Sequence, residues 1–266
     1  MTRVALDIGA SYSKLVVLKE GSQMTTRLIK TEGFEKTACV LLRSAKQQYE
    51  FEEAIVTGGG SAQLPSTLED VSIKRVDEIS AIGTGGLKLT GLKEAIVVSM
   101  GTGTAITHAT PEKITHLGGT GVGGGTLIGL GKLLIGETNP QKLEQLALKG
   151  ANTNIDLTVG DLYPKGIGNL SPQATASNFA KIASNYTIED ISSAIHNLVG
   201  QTMGIVISLT AKLAGIEDVV LVGTCTKNKC ILNVVRLILG MRKLKSVVPE
   251  KAEFAIAYGA ILVEEK

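Results

Sequence analysis

Apolar residues along this chain fall in two patterns: short uninterrupted runs that end in glycine-rich turns, and longer stretches in which they recur every three or four positions. Runs of the first kind read as buried strands, and stretches of the second as amphipathic helices. Val4 and Leu6, then Leu15, Val16, Val17 and Leu18, predict two strands around the turn "DIGAS", with a third over 24–30. Phe34, Ala38, Leu41, Leu42 and Ala45 predict a helix over 34–49. Strands follow at 54–56 and 71–76, and Ile79, Ile82, Leu87 and Leu89 then repeat at helical spacing. The pattern begins again with strands at 95–100 and 104–108 around a tight turn, and a helix opening between Gly123 and Thr126. A short helix over 141–148 and a structured excursion over 151–164 come next. Helices are expected over 177–183 and 188–213, the second long enough to kink at Gly200 or Gly204. A strand at 218–222, a helix over 228–239, a strand at 246–248 and a closing helix over 254–263 complete the chain.

Hairpin strands followed by alternating helices and strands thus occur twice, with "DIGAS" in the first set and "SMGTGT" in the second. The expected architecture is α/β, with two related lobes, residues 1–91 and 92–266, packed around a cleft into which the glycine turns point. The last helix is free to pack back on the first lobe.

Composition narrows the function. The 266 residues are 44% hydrophobic and 20% charged with a net charge of +2, and no run of Lys or Arg exceeds two, so nothing suggests nucleic acid. No secretory signal is expected at the start, and no uninterrupted apolar segment approaches the roughly 20 residues that span a bilayer. Cys39, Cys225 and Cys230 are too few and scattered for a disulfide framework, and reduced thiols in a cytoplasmic protein are the expectation. Aromatics make up 3% and Trp is absent, so the core is aliphatic and base-stacking surfaces are scarce.

The chemistry gathers at the turns. Amides of Gly101, Thr102 and Gly103 can line an anion nest, and the free N–H groups of a helix starting near Gly124 can face the same anion. The alternative is that both clusters are turns that merely connect packed strands, but two of them within about 25 residues, each beside Thr, favour the anion site. Asp7, at a strand end, either holds Mg²⁺ through water while Lys14 meets a phosphate, or caps its own turn. Asp77 and Glu78 either complement a helix dipole or offer a general base. The exit of the strand at 218–222, "GTCT", either cradles a nucleoside or is a plain βα turn.

The stretches "DIGASYSKLVV", "VDEISAIGTGG", "VVSMGTGTAI", "LGGTGVGGGTLIGLGKLL" and "TNIDLTVGDLY" stand in the order found in the type II, eukaryotic-like pantothenate kinases. The chain resembles that family, a branch of the actin, hexokinase and Hsp70 superfamily, from residue 4 to about 185 and more thinly afterwards. The resemblance implies two ribonuclease-H-like lobes with mixed sheets flanked by helices, and ATP with Mg²⁺ in the cleft. It implies a homodimer, and transfer of a phosphoryl group to pantothenate in the first step of coenzyme A synthesis. By position, Asp7, Ile8, Gly9, Ala10, Ser11, Tyr12, Ser13 and Lys14 match the first phosphate loop, with Asp7 toward the metal. Gly101, Thr102 and Gly103 match the second. Gly124, Gly125, Thr126, Leu127 and Ile128 open the nucleotide-binding helix, Thr224 and Cys225 lie near adenosine, and Glu78 takes the place of the catalytic base. The chain departs from the family in two places. His116 stands where an arginine that contacts substrate and growing charge is usual, which makes it a second catalytic candidate by resemblance, and "AEFAIAYGA" at 252–260 carries Glu253 and bulkier side chains in a run of small residues. Either departure leaves open a kinase for another small alcohol or a sugar, or an ATP-dependent switch that acts on a partner protein.

Overall fold

In the computed structural model, which describes residues 2–19, 24–168, 170–181 and 185–264, the first half of the pattern becomes β1 (Arg3–Ile8), β2 (Tyr12–Leu18), β3 (Met24–Lys30), α1 (Phe34–Lys46), β4 (Glu53–Thr57), β5 (Thr67–Leu68), β6 (Val71–Arg75) and α2 (Glu78–Thr90). The second half becomes β7 (Ala95–Met100), β8 (Thr104–Ala109), β9 (Ile114–Thr120), α3 (Gly124–Leu134), α4 (Pro140–Ala147), β10 (Leu157–Thr158), α5 (Val159–Leu162), β11 (Thr175–Ser177), α6 (Ile188–Ala214), β12 (Asp218–Val222), α7 (Lys229–Met241), β13 (Lys245–Val247) and α8 (Ala255–Glu264).

The duplication is visible in the sheets. One sheet has the order β3-β2-β1-β4-β6-β5 and the other β13-β12-β7-β8-β9. In each, an antiparallel meander (β1–β3, β7–β9) is extended from its first strand by parallel strands, β4 and β6 in one and β12 and β13 in the other. Parallel extension needs a crossover on one face. Helix α1 supplies it in the first sheet and α6 in the second.

Strand alternation then assigns every side chain to a layer. Val4, Leu6 and Ile8 of β1 join Leu41 and Leu42 of α1 in an outer core, while Ala5 turns to the inner side. Ile96, Val98 and Met100 of β7 pack with Ile195, Val199 and Met203 of α6, while Ala95 and Val97 turn inward. Between the sheets lie α2 and α8, whose Ala81, Ile82, Ala257 and Ile261 fill the inner core. α8 also packs against β1 and β4. The two inner helices cross backbone against backbone, because a Cβ on Gly85 would drive into the Ala255 carbonyl and one on Gly259 into that of Ala81.

Several expectations give way to tertiary contacts. Residues 177–183 are not helical where they are described, and 182–184 lie outside the described residues. Ser177 ends β11, and the Phe179 N–H donates to Asp156 Oδ1 at 2.9 Å, with Phe179 held at φ 57°. α6 runs unbroken from Ile188 to Ala214. Its Gly200 and Gly204 make room for Val234 and Ile238 of α7, so they mark a close helix packing and not a break. By length and composition α6 could cross a bilayer, but its apolar face is the outer core of the second sheet. The strand β9 was not anticipated: Gly118 and Gly119 of the stretch "LGGTGVGGGTLIGLGKLL" pair with Ile106 and Ala105.

Replacing Gly85 or Gly259 by Ala should cost about 1–3 kcal/mol through overpacking and lower the thermal unfolding midpoint by several degrees. An unchanged midpoint in both variants would show that the two helices part freely.

Candidate active site

Between the sheets, at the edge where β1 and β7 turn back, opens a cavity of about 710 Å³. That is the size range of small-molecule and cofactor sites. Its walls come from elements far apart in the chain: the β1–β2 turn, the start of α2, the β7–β8 turn, the starts of α3 and α4, and the segments before α7 and α8.

At one end the alternation that sends Ala5 and Val16 inward also sends Asp7 and Lys14 inward. Lys14 Nζ donates to Asp7 Oδ2 at 2.8 Å, with side-chain exposures of 8% and 3%. Glu78 is the first residue of α2 and lines the same cavity. Asp77 precedes it as the N-cap, accepting from the Ser80 N–H at 2.7 Å. That contact is worth about 1 kcal/mol, so the capping role falls to Asp77 and Glu78 is free to face the cleft. Burial pushes the Glu78 carboxyl above the usual carboxylate range, the Asp7 charge adds to the shift, and Lys14 opposes it.

The two hairpin turns face each other, and Ser11 and Thr102 share a hydrogen bond across the gap at 2.9 Å between their hydroxyl oxygens. Thr31 braces the first turn, with its N–H on the Ser11 carbonyl at 3.0 Å and its hydroxyl on that of Gly9 at 2.7 Å. Among the described residues the amides of Ala10, Ser11, Thr102 and Gly103 have no acceptor within the protein. These are the free donors of the nest. The start of α3 behaves differently from the expectation: the N–H of Gly124 donates to the Gly101 carbonyl and that of Gly125 to the Thr102 carbonyl, both at 2.9 Å. Those amides fasten the second turn to the helix and are not free for an anion. The buried Cys225 thiol, pushed up to about 11 by burial, donates to the same Gly101 carbonyl at 3.2 Å.

Of the residues singled out in the sequence, Asp7, Gly9, Ala10, Ser11, Tyr12, Lys14, Glu78, Gly101, Thr102, Gly103, Gly124, Leu127, Ile128, Thr224 and Cys225 line this one cavity. Five do not. Ile8 belongs to the outer core, and Ser13 is buried with its hydroxyl on that of Thr31 at 2.9 Å. Gly125 lies behind Thr102, and the Thr126 hydroxyl folds back to the Gly121 carbonyl at 3.3 Å. His116 sits exposed on the edge strand β9 opposite Thr107. Thr120 is the β9 residue that reaches the cavity, and His116 is about 13 Å farther back along the strand at about 3.3 Å per residue.

The structure adds walls that sequence reasoning missed. Gln141 and Glu144 of α4, Asn228 ahead of α7 and Lys227 all reach the cavity, as does Glu253, which the sequence had marked as a departure. Lys227 Nζ pairs with Glu253 Oε1 at 3.0 Å, while Glu253 Oε2 is buried without a hydrogen-bond partner among the described residues. The acidic residue in an otherwise small-residue run was the one available signal for Glu253.

The model of the Fumble family matches residues 94–238, more than half of the chain. The chain belongs to the Fumble family. A type II pantothenate kinase of Bacillus thuringiensis subsp. konkukian is 29% identical over 236 residues, covering 85% of this chain and 83% of the relative. One of Oceanobacillus iheyensis is 30% identical over 238 residues, covering 86% and 87%. Among solved structures, the activator of the 2-hydroxyisocaproyl-CoA dehydratase from Clostridium difficile with bound ADPNP aligns at a TM-score of 0.70 and 18% identity over 99% of this chain and 94% of that one. A ROK family glucokinase from Streptomyces griseus, in complex with glucose and AMPPNP, aligns at 0.61 and 12% identity over 99% of each. At those identities the likeness is one of fold: two lobes of the actin and hexokinase type.

The raised carboxyl of Glu78 has a sign for stability. A folded-state value above the unfolded one means the charged form is disfavoured by folding, so stability is fully present below the unfolded value and is lost as pH rises through the folded one. Glu78→Gln should therefore raise the denaturant midpoint at pH 8, with the gain closing by about pH 4, below the ordinary glutamate value. Equal midpoints for both proteins at pH 8 would mean the carboxylate is not strained.

Proposed function

We propose that the chain transfers the γ-phosphoryl group of ATP to the primary hydroxyl of pantothenate, giving 4′-phosphopantothenate. The observation that supports this most is the placement of Glu78: a half-buried carboxylate in the cavity that also holds the free amides of both turns and the Asp7–Lys14 pair. The family and the pantothenate kinases similar over most of the chain point to the same reaction.

In this reading the phosphates lie between the two turns, where Ala10, Ser11, Thr102 and Gly103 offer N–H groups and Lys14 offers positive charge. Glu78 orients the acceptor hydroxyl and takes its proton as the oxygen bonds to the γ-phosphorus and the bond to the β-phosphate oxygen breaks, releasing ADP. A base made more basic by its surroundings is suited to that proton. Most of the rate still comes from position and charge neutralisation.

Mg²⁺ fits the residues present. No cluster of three metal-binding side chains occurs among the described residues, but Mg²⁺ on a nucleotide keeps several waters and uses one or two carboxylates besides phosphate. Asp7 would hold it, and the Thr57 hydroxyl, buried without a hydrogen-bond partner among the described residues and paired in register with Asp7, is a polar atom beside it. Bound there, Mg²⁺ would neutralise charge on the phosphates. We further place the protein in the cytoplasm as a homodimer, with the lobes divided near residue 91. Exposed Leu209 and Leu213 on α6 and Leu237 and Met241 on the adjoining α7 are apolar surface that a second copy would cover.

The test is ADP release from MgATP with and without pantothenate, and the product's mass. A pantothenate-dependent gain of one phosphate is expected, and Glu78→Gln should cut turnover by about 100-fold or more while ATP still binds. Release that follows a sugar or another alcohol instead, or ATP binding with no acceptor phosphorylated, would overturn the assignment.

A further inference from the structure

A third glycine turn, "TGGG" at 57–60, follows β4, and the mechanism makes no use of its glycines. Its place follows from the sheet. β4 and β6 run parallel with Val56 opposite Arg75, and the Val76 N–H donates to the Val56 carbonyl at 2.9 Å. The two chains therefore leave the same edge as neighbours, and three residues on, Gly59 and Glu78 both line the cavity. The loop that Gly59 opens is fastened on its far side. The Arg75 guanidinium donates to the carbonyls of Ser61 at 3.1 Å, of Leu64, and of Pro65 at 3.4 Å, and the Gly60 N–H donates to the Ile8 carbonyl at 2.9 Å. A planar fork that spans several carbonyls holds a glycine-rich loop in one shape.

The three glycines serve different ends. Gly58 is held at φ 88°, and a Cβ there would stand 2.5 Å from Asp7 Oδ1. A Cβ on Gly60 would stand 2.5 Å from Phe34 Cδ1 and 2.7 Å from Ile8 Cγ2. Backbone and packing account for both. Gly59 is exposed, lies outside the left-handed region, and would meet nothing within 4 Å of an added Cβ. The fold accepts a small side chain at 59, so what its absence leaves is room in the cavity next to Glu78. Building on the reading that Glu78 takes the proton of an acceptor hydroxyl, we infer that Gly59 is the specificity-determining position for the acceptor, its bare backbone making room for a branched carbon beside the reacting CH₂OH. Pantothenate has such a carbon, with two methyls on it, and an unbranched alcohol does not need the room.

The test measures kcat and KM for pantothenate and for its analogue without the two methyls, with equilibrium binding of MgATP and the thermal midpoint alongside, in wild type, Gly59→Ala and Gly59→Val. Gly59→Ala should hold or slightly raise the midpoint, since the unfolded chain loses freedom and the folded one gains no clash, and MgATP binding should not change. Its kcat/KM for pantothenate should fall by about tenfold or more, chiefly through KM, the scale on which a pocket discriminates one methyl-sized group. The analogue should be turned over nearly as well as by wild type, and Gly59→Val should widen the gap between the two acceptors. Equal loss for both acceptors, or no loss for pantothenate, would overturn the inference and leave the kinase reading standing. A wild-type protein that phosphorylates neither acceptor would overturn the pantothenate reading, and the inference with it.

Discussion

Everything about the cleft depends on two helices being allowed to touch. α2 and α8 lie between the sheets and cross where Gly85 meets Ala255 and Gly259 meets Ala81. No side chain fits between them, so both sheets are drawn in to the thickness of one helix layer. The consequence reaches the chemistry. α2 begins with Glu78, and α8 is entered through Glu253, so one close crossing fixes how two carboxylates stand toward the glycine turns.

A cavity built this way concentrates charge in a poorly solvated place. Asp7 and Lys14 are each almost fully buried and would be costly alone, so their pairing is the condition for either being there. Among the described residues Glu78 has no such partner, and its surroundings favour the proton-bearing form. That unevenness separates roles within one small volume: a neutralised pair beside the phosphate turns, and a carboxylate inclined to take a proton. Around them, backbone carbonyls and amides hold the scaffold. The Gly101 and Thr102 carbonyls take the first amides of α3, so the second turn and the helix behind it form one rigid piece.

The opposite end of the cavity follows another rule. There Leu127, Ile128, Pro140 and Ile231 stand beside polar groups, and some of those groups are tied into chains such as Ser192–His196–Asn228–Ile231. A fully paired network in a low-dielectric place is stiff. That stiffness turns an amide into a fixed donor, where a solvated surface amide would rotate.

Local pattern carried much of this. Most strands, most helices and the place of Asp7 at a strand end were legible because strand alternation and helical spacing are properties of neighbours in the chain. The glycine turns were legible because their backbone demands are local too. What the sequence left open were choices between partners. Spacing alone offered Asp77 and Glu78 as equals, the resemblance singled out Glu78, and the Ser80 amide takes Asp77 as cap. It read Gly200 and Gly204 as a weak point in α6, where α7 instead needs room. It gave α3 free amides that the second turn consumes, and it had no signal for Asn228 and His196, 32 residues apart. A residue's face is set within a turn or a strand pair, but its partner is set by how distant elements pack, and only the tertiary structure decides that.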